Sequence, residues 1–105
     1  MAYTIVYSES FRKGLEQLIN EWENELFLSE ENIRRFVRII YQAIELTKNF
    51  PEMHEEISAL YHFNELTYRI LIGNKYAIFY RIDKKKHLVL IGNIFQQRQM
   101  KITFQ

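Results

Sequence analysis

Arg69, Lys75, Arg81 and Arg98 are spread through the last third of the chain, with His87 among them. These are the side chains whose types and spacing could do chemistry. In an extended segment Lys75, Ala77, Phe79 and Arg81 fall on one face, and Tyr76, Ile78, Tyr80 and Ile82 on the other. A guanidinium presents a planar fork of donors that fits phosphate or carboxylate, and histidine carries a proton near neutral pH. Arg69, Lys75, Arg81 and Arg98 are therefore the expected target-binding residues, and Arg98, Arg81 and His87 are the candidates for catalysis. Each also has an ordinary role. Arg81 and Lys75 could make cross-strand charge pairs, Arg69 could pair with Glu65 or Asp83, and Lys84, Lys85 and Lys86 could keep a hairpin soluble. His54 and His62, with Glu55, Glu56 and Glu65, offer metal-compatible atoms, but their spacings match no ligand pattern, so no metal is expected. No glycine-rich phosphate loop, nucleophile elbow or paired catalytic carboxylate stands at usable spacing, so no cofactor is expected either.

Composition narrows the classes further. The chain has 105 residues, 48% of them hydrophobic and 15% aromatic, enough to bury one core but not two, so residues 1–105 are read as a single domain. The lack of cysteine excludes a disulfide scaffold, a thiolate metal site and a cysteine nucleophile. Met1-Ala2-Tyr3-Thr4 lacks the basic start of a secretory leader, and no apolar run approaches the ~18 residues of a membrane span. A cytoplasmic protein with no membrane partner is expected. The net charge of +1 makes any contact with nucleic acid local. The charge is uneven, however: from Tyr68 onward there are eight Lys or Arg against one Asp.

The elements that must position these side chains can be read from periodicity and punctuation. Residues 2–7 alternate as a short strand, with Tyr3, Ile5 and Tyr7 on one face. Ser8 or Ser10 caps a helix whose apolar stripe is Phe11, Leu15, Leu18, Ile19 and Trp22, and Gly14 inside that stripe marks close packing. Ser29 caps a second helix, expected from about residue 30 to 48, with Glu30 and Glu31 in its first turn and Pro51 as its stop. Its buried face is Ile33, Phe36, Val37, Ile40, Tyr41 and Ile44, and Arg34, Arg35 and Arg38 lie on the other side. From Phe50 to Leu66 no period holds, and a connector with at most one helical turn is expected. Tyr68 to Asp83 and Leu88 to Gln99 then read as three antiparallel strands turned at Gly73-Asn74 and at Asp83 to Lys86. The tyrosines are expected to be core, with hydroxyls at the rim. Lys101 to Phe104 is read as a short extra strand or a docked tail.

This order of elements, together with particular residues, resembles the ParE/RelE superfamily of bacterial toxins over nearly the whole chain. The matching residues are Ser8-x-x-Phe11, Asn49-Phe50-Pro51-Glu52, Arg69-x-Leu71-x-x-Gly73, the run Tyr76 to Ile82, and Ile94-Phe95-Gln96-Gln97-Arg98. The resemblance implies an α+β fold of order β-α-α-β-β-β, with two antiparallel helices packed on one face of a twisted antiparallel sheet. It also implies the toxin half of a type II toxin-antitoxin pair, neutralised by a cognate antitoxin that wraps a partly disordered segment around it.

The superfamily contains two chemistries. RelE-like members cut messenger RNA on the ribosome without metal, which requires placed cations and a proton carrier. Where those ribonucleases present an arginine, this chain has Ala77, and the aromatic matching their terminal one is Phe104, which has no hydroxyl. ParE-like members poison DNA gyrase without that constellation, and their ending resembles Phe95-Gln96-Gln97-Arg98. The resemblance therefore favours a ParE-like growth inhibitor acting on gyrase. A ribosome-dependent mRNA endonuclease, or a non-toxic antitoxin-binding module of the same fold, is the alternative.

Overall fold

The structure is a computed structural model that describes residues 2–97. The expected strand at Lys101 to Phe104 and the side chain of Arg98 lie outside the described residues. Strand β1 (Thr4–Tyr7) leads into helices α1 (Glu9–Asn24) and α2 (Glu30–Glu45), and a 3-10 turn (Leu46–Lys48) closes the second. Strands β2 (Glu55–Glu56), β3 (Tyr68–Ile72), β4 (Tyr76–Asp83) and β5 (Leu88–Gln96) follow.

Both helices start where their caps dictate. Ser8 Oγ accepts the Phe11 N–H at 3.0 Å, and Ser29 Oγ accepts the Asn32 N–H at 3.2 Å, so each serine satisfies a donor that the helix itself leaves unpaired. The expected helix over 30–48 is α-helical only to Glu45. Beyond it the chain tightens, and the buried Thr47 donates its hydroxyl to the Ile44 carbonyl at 2.6 Å.

The sheet runs β1-β5-β4-β3-β2. The expected meander is present, with β3 antiparallel to β4 and β4 antiparallel to β5. Two features depart from the expected sheet. β1 pairs with β5 in parallel, Thr4 opposite Leu88 and Tyr7 opposite Ile91, which makes the sheet mixed. The connector also contributes the two-residue β2 rather than a helical turn, with Glu55 opposite Arg69. No local turn signal encodes either pairing, because both join segments that are distant in sequence.

Both helices cover one face of the sheet, α1 over β5 and α2 over β3. The core between them includes Phe11, Trp22, Ile40 and Ile44 from the helices and Ile70, Ile78, Tyr80, Val89 and Ile91 from the strands. Trp22 Nε1 donates to Tyr76 Oη at 2.9 Å inside this core, and Tyr80 donates its hydroxyl to the Pro51 carbonyl at 2.7 Å. Tyr76 and Tyr80 are thus core residues whose hydroxyls find partners, and that of Tyr76 lies inside the core rather than at the expected rim. Burial pushes the Tyr7 phenol up to about 12, helped by the Glu45 carboxylate and by Tyr41. Gly14 lets α1 approach the sheet: a Cβ there would stand 3.0 Å from the Ile94 carbonyl oxygen.

Candidate functional site: the open face of the sheet

The helices leave the other face of the sheet uncovered by helix, and strand alternation sends Arg69 and Leu71 of β3, Ala77, Phe79 and Arg81 of β4, and Leu90 and Phe95 of β5 to it. Ala77 lies opposite Phe95, and Arg69 opposite Phe79. A register shift between Ile78 and Tyr80 re-aims β5 at this point, and Gly92 permits it, since a Cβ would meet the Phe79 carbonyl oxygen at 3.2 Å.

Part of this face is roofed by the connector between α2 and β3. Tyr61 and Phe63 stand over Phe79, with ring centroids 5.8 and 6.0 Å away, and Phe79 meets Phe95 edge-on at 5.1 Å. Backbone bonds hold the roof in place. Ile57 N–H donates to the Thr67 carbonyl at 2.8 Å, and Glu56 Oε2 accepts from the N–H groups of Ser58 (2.7 Å) and Thr67 (3.1 Å). Hydrogen bonds from Ser58, joined by that from Thr67, hold the Glu56 carboxyl below its usual range.

The roof is acidic where the sheet is basic. Arg69 donates to Glu55 and, at 3.4 Å, to Tyr61 Oη. Arg81 Nη1 lies 2.7 Å from Glu65 Oε2, its Nε donates to Thr67 Oγ1 at 3.0 Å, and its guanidinium sits 5.8 Å from the centre of the Phe63 ring. Lys84 Nζ is 3.0 Å from Glu52 Oε1, and that hydrogen-bonded carboxylate raises its pKa. The sequence expectation for Arg69 was Glu65 or Asp83. Its partner is Glu55, because β2 sets Glu55 directly opposite it, and Glu65 is taken by Arg81.

Of the predicted site residues, the fold brings together Arg69 and Arg81, which flank Phe79 on one face. It does not bring Lys75 to them. That residue lies in the turn before β4, beside Leu26, Asn74 and Gln96, and is separated from Arg81 by roughly 20 Å of strand. His87 lies in the β4–β5 hairpin at positive φ, its ring 5.0 Å from that of Tyr3 and its carbonyl accepting the Thr4 N–H at 2.9 Å. It borders β1, whereas the two arginines border the roof. The residues that sequence reasoning missed are Glu52, Glu55, Tyr61 and Phe63, and Glu65 was foreseen as an ion-pair partner but of Arg69 rather than Arg81. Their signal was the acidic and aromatic content of a segment without periodicity.

Around the two arginines the face is apolar: Leu66, Leu71 and Leu90 are exposed, and a depression of about 400 Å³ runs past Phe63, Thr67, Phe79, Arg81 and Leu90. Such a surface suits a protein partner, with arginine anchors set among apolar contacts.

A helix pair on one face of a mixed five-stranded sheet, with a strand before the helices and a meander after them, defines the fold of the ParE/RelE toxins. The model of the ParE toxin of type II toxin-antitoxin systems, parDE, matches residues 5–101, and the chain belongs to that family. Among solved structures, the chain is similar to the RelBE2 toxin-antitoxin complex of Mycobacterium tuberculosis (18% identity, TM-score 0.54, covering 92% of this chain and 100% of that one). It is also similar to an arginine-substituted mutant of the E. coli toxin RelE in the free state (17%, TM-score 0.52, 97% and 90%). A third is the archaeal RelE-RelB complex of Pyrococcus horikoshii OT3 (17%, TM-score 0.51, 94% and 99%). At these identities the likeness is one of fold. Comparison with the curated proteins finds no match. Among the described residues, no helix is long and apolar enough to cross a membrane.

Proposed function

We propose that this chain is the growth-arresting toxin of a type II pair, that it acts in the cytoplasm in the manner of ParE by docking on a protein target, DNA gyrase, and that a cognate antitoxin neutralises it. One observation carries the choice. At the position where RelE-like ribonucleases set an arginine, Ala77 is fully buried, with Phe95 opposite it on β5, and the neighbouring Arg69 and Arg81 are each engaged by a carboxylate of the same chain. An in-line attack on a phosphodiester needs cations free to meet developing charge and a group to move the proton. Paired arginines among exposed leucines supply docking contacts instead. The candidate contact residues are Arg69, Arg81 and Arg98, with Lys75 at the margin.

Tightly induced expression in bacteria tests the proposal. Arrest accompanied by a supercoiling defect is expected. Arrest accompanied by mRNA cuts in the ribosomal A site would assign the ribonuclease chemistry instead, with Tyr61 Oη beside Arg69 the first phenol to substitute. Absence of arrest would leave an antitoxin-binding module. Arg81→Ala and Arg98→Ala are expected to weaken arrest while leaving the melting temperature nearly unchanged.

A further inference from the structure

Helix α2 carries more apolar surface than the sheet covers. Ile33, Ile40 and Ile44 are buried against the core, with Val37 packed beside them. A second set, Phe36, Ile39, Ala43, Leu46 and Phe50, recurs at alternating spacings of three and four residues; Ala43 is half-buried against the core, and the rest are exposed, 36% for Phe36, 44% for Ile39, 52% for Leu46 and 61% for Phe50. Beyond Glu45 the stripe runs on through the 3-10 turn Leu46–Lys48, after which Phe50 N–H donates to the Leu46 carbonyl at 3.2 Å. Alternating three and four is the spacing of a helix-helix seam. α1 reaches only its first residue, where the Trp22 ring lies 5.4 Å from that of Phe36. Phe11 of α1 and Tyr7 meet α2 through Tyr41, on the opposite flank.

We infer that this stripe is the seam of a symmetric dimer in which α2 packs antiparallel to α2 of a second copy of the chain. The order of side chains favours a second copy, because Phe, Ile, Ala, Leu, Phe is nearly the same read from either end. With a two-fold axis at Ala43, Phe36 meets Phe50 of the second copy and Ile39 meets Leu46. The smallest side chain lies on the axis, where the helices come closest. Charge selects the antiparallel arrangement. Arg35, Gln42 and Asn49 follow one another at intervals of seven along the outer margin of the stripe. Antiparallel pairing sets Arg35 against Asn49 and Gln42 against Gln42, whereas parallel pairing sets Arg35 against Arg35. The α-helical part of the stripe, from Phe36 to Glu45, spans about 14 Å, and the 3-10 turn carries it on toward Phe50. It overhangs the β3 margin of the sheet, where β2 pairs only with Tyr68 and Arg69, and among the described residues no strand pairs with the outer edge of Ile70 to Ile72. The dimer covers both the apolar stripe and the approach to this strand edge. A seam of this size points to a concentration-dependent dimer rather than an obligate one.

Sedimentation velocity on the full chain across a wide concentration range tests the inference. The wild type is expected to shift from monomer to dimer as concentration rises. Ile39→Glu and Leu46→Glu, both at exposed positions, are each expected to keep the melting transition and remain monomeric. The decisive variant combines Ile39→Glu with Leu46→Lys in one chain, which opposes unlike charges across the two-fold and is expected to restore the dimer. A wild type that stays monomeric throughout overturns the inference, and so does a dimer indifferent to these substitutions. A monomeric wild type whose Ile39→Glu variant no longer binds the cognate antitoxin of the proposed pair overturns it too, and gives the stripe to that partner. Growth arrest is read separately, so failure of the dimer and failure of the proposed function are distinguishable.

Discussion

Arg81 Nη1 lies 2.7 Å from Glu65 Oε2, so the most prominent cation of the open face is held by a carboxylate of the roof above it. The side chains are 44% and 68% exposed, which places the pair in the range of about 0–1 kcal/mol for stability. Its consequence is for binding. Glu65→Gln is expected to leave the melting temperature within about a degree or two, to free the guanidinium, and to lengthen retention on an immobilised polyanion at low salt, an effect that falls as salt rises. Unchanged retention would mean that the roof does not mask Arg81.

The bond from Trp22 Nε1 to Tyr76 Oη ties α1 to the start of β4 inside the core. Tyr76→Phe keeps the ring but leaves a buried indole N–H without its acceptor. A loss of about 1–3 kcal/mol in denaturant unfolding is expected. The fluorescence of Trp22, the single tryptophan, reports the same transition.

Gly14→Ala should behave unlike most glycine replacements inside helices. Alanine gains about 1 kcal/mol in helix propensity. The new Cβ, however, stands 3.0 Å from the Ile94 backbone oxygen, and a paired central strand cannot retreat from it. Net destabilisation is expected, and a rise in melting temperature would show that α1 shifts freely over the sheet.

Burial of His54 against Tyr80 disfavours its charged form and lowers its pKa from the ordinary 6.5. Its Nε2 is buried with no hydrogen-bond partner among the described residues. Between 6.5 and the lowered value the unfolded chain binds the proton more readily, so the contribution of His54 is complete above pH 6.5 and is lost as pH falls below it. Melting temperatures measured from pH 7.5 downward, a range of about one unit on either side of 6.5, should decline less in His54→Leu than in wild type. Parallel curves would place the acid sensitivity elsewhere.

The elements were legible because their signals are local. Ser8 and Ser29 cap the helices, Gly73 takes positive φ in the β3–β4 turn, and the Asp83 carboxylate accepts the Lys86 N–H at 3.1 Å in the next one. Alternation alone placed Ala77, Phe79 and Arg81 on one face of β4. The roof was not legible, because residues 57–66 repeat with no period and reach the sheet by single side chains such as Tyr61 and Phe63. Phe36, expected in the core, is at its margin, because periodicity gives the width of an apolar arc but not how much of it a neighbour covers.

By itself, then, the sequence determined the order of the two helices and of β1, β3, β4 and β5, the caps and turns that bound them, and which side chains share a face of each. All of these follow from backbone geometry within a few residues. Only the tertiary structure decided that β1 runs parallel beside β5, that Glu55 and Glu65 neutralise Arg69 and Arg81, and that Ile39, Leu46 and Phe50 of the apolar arc that starts on α2 stay exposed. Those outcomes depend on which distant segments come into contact, and loop closure across many residues leaves no mark in any short window of sequence.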